Sequence, residues 1–151
     1  MKIVNILGLD SIICDADVGS KKQLLELLAG LAAKKTGLDE RTILDALIER
    51  ERLGTTGIGR GVALPHTRLS SLRRIFCAFV RTKPVDFESV DDKPVDLIFL
   101  LLVPEEAGAD HLKALARLSR LLRNESVATA LRQAKDPQTV HRLIEDNDTD
   151  D

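Results

Sequence analysis

Hydrophobic positions along the 151-residue chain recur with two periods, one helical and one extended, and the two alternate. Leu24, Leu27, Leu28 and Leu31 sit at helical spacing behind Ser20, with Gln23 completing a capping box and Gly37 as the stop. Asp39 caps a second helix whose apolar stripe is Ile43, Leu44, Leu47 and Ile48. It ends before Gly54, with Arg50 and Arg52 in the last turn, where the macrodipole favours cations. Further on, Asp110 is expected to cap a helix carrying Leu112, Leu115, Leu118, Leu121 and Leu122 on one face. Two shorter helices follow, near Ser126 to Ala134 and from Pro137 to Glu145, the second capped by Asp136 with Pro137 at its first position. Apolar runs without helical period, Ile12 to Cys14, Ile75 to Val80 and Val95 to Val103, read as strands, and Pro104 halts the last. Gly57-Ile58-Gly59-Arg60-Gly61 reads as a flexible turn feeding a short strand that Pro65 terminates.

Strands alternating with helices imply a single α/β domain with helices packed on a mostly buried sheet. The sheet is either parallel or mixed. The polar, non-helical segment between Ile75–Val80 and Val95–Val103 favours at least one antiparallel step. The one strongly biased segment, Glu145 to Asp151, has five acids in seven residues and reads as a frayed tail. The domain is therefore expected over 1–146 and the tail over 147–151.

Composition narrows the function classes. The core must be aliphatic, because 25 Leu stand beside only four Phe, with no Trp and no Tyr. Recognition of single-stranded nucleic acid by base stacking loses most of its tools. Net charge is −2, so no global basic field draws the chain to phosphate polymers or anionic membranes. A local excess does exist, with seven Arg against Asp45, Glu49 and Glu51 over 41–74, and it reads as a solvated or protein-docking face. No signal segment is recognisable, and the longest apolar run, Leu97 to Val103, has seven residues. Cys14 and Cys77 are expected to be reduced and buried, in a cytoplasmic protein.

The motifs exclude more chemistry than they invite. The glycines at 57, 59 and 61 follow a helix and open a strand, the reverse of a dinucleotide fingerprint, and no phosphate-binding loop ending in G-K-[ST] occurs. No metal-ligand spacing joins the histidines and cysteines, and no nucleophile elbow is present, so neither metal nor cofactor is expected. Three histidines remain. His141 lies mid-helix and reads as surface. His66 follows a proline at a strand end beside the glycine turn, where a loop residue is held rigidly and left accessible. His111 falls in the first turn of a helix, whose free N–H groups favour an anion.

The stretch from Arg50 to His66, R-E-R-L-G-T-T-G-I-G-R-G-V-A-L-P-H, resembles the phosphorylation-site signature of enzyme IIA proteins of the bacterial phosphotransferase system. It is most similar to the nitrogen-regulatory type, which is related to mannitol/fructose-type IIA domains. Asp39-Glu40-Arg41, Pro94-Val95-Asp96-Leu97, Leu102-Val103-Pro104 and His111-Leu112 extend the resemblance over roughly residues 5 to 146. The chain departs from the pattern at Thr67, where many members carry a small residue, usually Gly. The resemblance implies a mixed sheet flanked by helices, of mannitol-type IIA fold. It also implies a phosphoacceptor His66, phosphorylated on the tele nitrogen, with His111 and Arg50 stabilising the phosphate.

The partners implied are a histidine-phosphorylated carrier protein as donor and regulatory targets such as transporters or sensor kinases. Contact with membrane proteins would be peripheral. Two alternatives stay open: a sugar-specific IIA passing phosphate to a permease IIB domain, and a protein-interaction module that is not phosphorylated. The length is that of one free-standing IIA unit with no fused domain.

Overall fold

A computed structural model describes residues 2–149. Two short 3-10 turns, Ile3–Asn5 and Leu9–Ser11, lead into β1 (Ile12–Ala16), and helices α1 (Lys21–Thr36) and α2 (Glu40–Arg52) follow. Three short strands come next, β2 (Gly57–Gly59), β3 (Val62–Ala63) and β4 (His66–Leu69), then the long β5 (Phe76–Val85) and β6 (Val95–Pro104). Helices α3 (Asp110–Arg123), α4 (Glu125–Gln133) and α5 (Pro137–Asn147) complete the chain. The sheet is mixed. Its order is β1-β5-β6-β3-β2, with β4 also paired to β6. The expected antiparallel step is β5 against β6, while β1 is parallel to β5 and both β3 and β4 are parallel to β6.

Alternation along β5 and β6 divides the interior into two cores. Cys77, Phe79, Leu97, Phe99, Leu101 and Val103 face one side, beneath α3, α4 and α5. Ala78, Val80, Ile98, Leu100 and Leu102 face the other, beneath α1 and α2. The sheet is thus covered on both faces, and Phe79 and Phe99 pack with ring centroids 5.0 Å apart. No helix among the described residues is long and apolar enough to cross a membrane.

The helix boundaries follow their caps. The Ser20 hydroxyl accepts from the Gln23 N–H, and the Gln23 side chain returns to the Gly19 N–H, one residue earlier than a capping box requires. Asp39 and Asp136 cap α2 and α5 as the sequence predicts. Asp110 does not cap α3. Ala109 holds that position with no side-chain bond, and Asp110 is already helical. The α4 cap that the sequence reading lacked is Asn124, which accepts from Ser126 and Val127. Leu112, expected on the buried face of α3, is 60% exposed, and Ala114 is buried instead. Cys77 is buried, but Cys14 only partly so.

The acidic tail also differs from expectation. Helix α5 runs to Asn147, and Asp148 is only 4% exposed. Its carboxylate accepts from the Ile3 N–H at 2.7 Å and from Arg117 Nη1 at 2.7 Å, and its carbonyl accepts from Lys2 Nζ at 3.1 Å. Local charge density suggests a solvated tail, but a buried N–H and a largely buried guanidinium give this one carboxylate a place inside. Asp150 and Asp151 lie outside the described residues. Asp148→Ala is expected to destabilise the fold by about 2–4 kcal/mol, because it strands a buried donor and removes a buried ionic partner. Urea denaturation checks this, and a loss below about 0.5 kcal/mol contradicts the clamp.

Candidate functional site

Strand β4 is the element the sequence pattern missed. Pro65 does end β3, but the chain resumes the same track beside β6: the Pro65 carbonyl accepts from the Leu101 N–H at 3.0 Å, and His66 to Leu69 then pair with Leu101 to Pro104. No strand lies beyond β4 among the described residues. His66 therefore stands at a sheet edge where α2, from one face, and α3, from the other, converge. Strand alternation places His66 and Arg68 on one side with Leu101 and Val103. These four line a cavity of about 350 Å³ with Arg50, Thr67, His111, Leu112 and Leu115.

His66 is partly buried, and its Nδ1–H donates to the carbonyl of Leu64 at 2.7 Å. That bond fixes the proton on Nδ1 and leaves Nε2 as the free, lone-pair nitrogen. Burial lowers the pKa of His66 from its ordinary 6.5, and the nearby charges of Arg50 and His111 push the same way. The Leu64 hydrogen bond and Glu51 oppose the shift. His111 is similarly oriented, its Nδ1–H donating to the Gly108 carbonyl at 2.7 Å. Arg50 extends from the last turn of α2, bonded through Nη1 to the Gly54 carbonyl at 3.0 Å. The structure thus gathers all three residues singled out from sequence into one cavity.

A residue not singled out, Glu51, builds the approach to His66. Its carboxylate is almost wholly buried and accepts from both the backbone N–H and the hydroxyl of Thr56, while Lys21 pairs with it at 2.9 Å. Lys21 also lies 4.5 Å from the centroid of the Phe87 ring. The Thr56 carbonyl in turn accepts from the Leu64 N–H at 2.9 Å, so the base of the glycine hairpin is fixed next to the carbonyl that orients His66. Gly61, at φ +81, keeps the hairpin tight. A Cβ there would stand 2.6 Å from Arg132 Nη2 and 2.9 Å from Asp96 Oδ1, within the Arg132–Asp96 pair. The sequence signal for Glu51 was available only as an acid inside an arginine-rich run.

Elsewhere the chemistry is thinner. A larger open groove of about 1320 Å³ mixes Lys35, Arg73 and Arg74 with Glu105, Glu106 and Asp110, and no histidine lines it. The arginines of 41–74 do not form one basic face, since Arg41, Arg52 and Arg60 pair with Asp45, Glu49 and Glu125. His141 sits on α5, outside the cavity. Among the described residues no group of three or more His, Cys, Asp or Glu is placed to hold a metal ion.

Known proteins resemble this chain in sequence and fold. The family model for the phosphoenolpyruvate-dependent sugar phosphotransferase system, EIIA 2, matches residues 5–147. A nitrogen regulatory protein of Bradyrhizobium diazoefficiens is 50% identical over 145 residues, covering 95% of each chain. The crystal structure of the nitrogen regulatory protein IIA-Ntr from Neisseria meningitidis superposes with a TM-score of 0.91 at 39% identity, covering 94% of this chain and 98% of that one. Mannitol IIA of Escherichia coli, at 19% identity and a TM-score of 0.78, shares the fold over 91% of this chain and 97% of its own. With the family match spanning nearly every described residue, the chain belongs to the EIIA 2 family of the phosphotransferase system.

Proposed function

We propose that His66 accepts a phosphoryl group on Nε2 from a histidine-phosphorylated carrier protein, and that its phosphorylation state controls binding to regulatory targets in the cytoplasm. The observation that supports this most is the Nδ1–H bond to Leu64, which leaves one defined nucleophilic nitrogen in a cavity beside Arg50 and His111. In the step itself, the donor's P–N bond breaks as the Nε2 lone pair forms a new one. The donor ring keeps the proton on its other nitrogen and leaves as neutral imidazole, while His66 keeps its Nδ1 proton on Leu64. No net proton moves, and one phosphoramidate replaces another, so transfer is close to reversible. Phosphoryl transfer runs through a loose transition state whose charge spreads over the equatorial oxygens, so catalysis rests on position and positive potential. Arg50 and His111, with the N-terminal N–H groups of α3, supply that potential on this reading.

The added group carries about −1.5 to −2 charge, enough to create or abolish a docking contact. Targets on this reading are proteins such as transporters or sensor kinases. A transport role, with phosphate passed on to a permease IIB domain, uses the same nitrogen and is supported by the sugar-system description of the family and by the 38% identity to a fructose-specific EIIA component.

Incubated with the charged carrier, the chain is expected to gain the mass of one phosphoryl group, lost on acid treatment, and His66→Ala to gain none. Labelling of the Ala variant to the wild-type level would rule the assignment out, and an unlabelled wild-type chain would support the interaction-module alternative. Rapid loss of the label to an added IIB domain would support transport. A second expectation follows from burial. The His66 ring should titrate with a midpoint below 6.5, followed by its Cε1–H resonance, so acceptance stays fast somewhat below that pH. A midpoint at or above 6.5 contradicts the burial argument.

A further inference from the structure

Arg68 has a position that the phosphoacceptor reading does not use. It lies two residues beyond His66 on β4, opposite Val103, and lines the same cavity. Its Nη1 donates to the Glu105 carbonyl at 2.6 Å. Its Nη2 lies 3.2 Å from Nδ1 and 3.3 Å from Nε2 of His111. A donor nearly equidistant from both ring nitrogens lies over the ring, because the C–H between them blocks an in-plane approach, and it directs an N–H at the imidazole. The Nδ1–H of His111 is already given to Gly108, so Nε2 is the one lone pair the ring offers Arg68, a neutral acceptor and a weaker partner for a guanidinium than an anion.

No carboxylate lies within ion-pair distance of Arg68 among the described residues, whereas Arg41, Arg52, Arg60 and Arg132 each have one. Arg50 shares this condition, its guanidinium bonded to the Gly54 carbonyl and to no carboxylate among the described residues. Two guanidiniums without carboxylate partners therefore flank one cavity that also holds the free Nε2 of His66. A planar fork of N–H donors matches the oxygens of a phosphoryl group, and Arg68 can present its unused donors while Nη1 stays on Glu105.

We propose that Arg68 is a second phosphoryl-binding arginine, hydrogen-bonded to His111 while His66 is free and turned onto the phosphoryl oxygens once the group is on Nε2. The inference rests on the phosphoacceptor reading and adds a ligand to that site. In the phosphorylated state the guanidinium leaves the ring face, so the same movement frees the imidazole of His111 to approach the phosphoryl group.

The test is the equilibrium constant for transfer between the charged carrier and the chain, measured from both directions by intact mass for wild type, Arg68→Lys and Arg68→Ala. A residue that only helps the carrier dock changes both rates and leaves the equilibrium alone. A ligand of the product shifts the equilibrium. Arg68→Ala is expected to move it about tenfold or more toward the carrier, the scale of one charge-assisted hydrogen bond, with Arg68→Lys between the two. The exposed side chain makes both variants thermally close to wild type, and their melting temperatures are recorded alongside. A shift below about threefold in Arg68→Ala overturns the inference, even where the rates fall. Failure of the underlying reading looks different: the wild-type chain then takes no label, or takes it at a residue other than His66.

Discussion

Strand β6 is the constraint on which the rest depends. Leu97 to Val103 are buried on both faces, alternate residues serving opposite cores, so the strand must be covered by helices above and below and by hydrogen-bonded neighbours on both edges. On one edge β5 supplies a long antiparallel ladder. On the other, no single strand of that length exists, and the edge is shared by β3 and β4 with Pro65 between them. Proline has no N–H to donate, yet its carbonyl still accepts from Leu101. The break therefore leaves the Leu101 N–H of β6 paired while it re-aims the chain, and His66 is the first residue after it. The site is a by-product of how a doubly buried strand is paired at an edge.

That origin accounts for the electrostatics. A histidine at the middle of the sheet would be fully desolvated, and one on an outer loop would be hydrated and mobile. At the edge, with α2 and α3 closing over it, His66 is buried enough to depress its pKa while Nε2 still faces a cavity. The opposing Leu64 hydrogen bond and Glu51 keep the depression from running further. Glu51 has a double part: paired with Lys21 and bonded to Thr56, it fixes the hairpin mechanically and tempers the positive field of Arg50 next to it in sequence.

Most of the architecture was legible because local signals and tertiary demands agree. Apolar runs at 75–80 and 95–103 are long, aliphatic and bounded by turns, and the caps Ser20, Asp39 and Asp136 act as their residue types suggest. His66, Arg50 and His111 were legible through a motif, and the fold does bring them to one cavity. Strand β4 was not, since H-T-R-L has no alternation of apolar and polar residues and follows a proline; its strand character comes from pairing with β6. Missing β4 also hid Arg68, because the two-residue period that places it beside His66 exists only in a strand. Asp148 was misread for a related reason. Charge density along the chain carries no trace of the Ile3 N–H and Arg117, which lie far away in sequence.

The same framework limits the form that a phosphorylation signal can take on the proposed reading. His66 to Leu69 are each registered against β6, and the His66 ring is tied to Leu64, so a phosphoryl group on Nε2 has little backbone freedom to act on. Beyond the turn of the Arg68 side chain, what changes is charge, at an edge where Leu112, 60% accessible, lines the cavity with Arg50 and Arg68. Two cations without carboxylate partners make the unmodified cavity mouth positive, and a group of about −1.5 to −2 charge offsets them. A partner that docks at this edge therefore meets the same backbone in both states and a neutralised field in one of them. Discrimination between states then rests on the partner's own charges, which is the arrangement in which electrostatics governs specificity more than affinity.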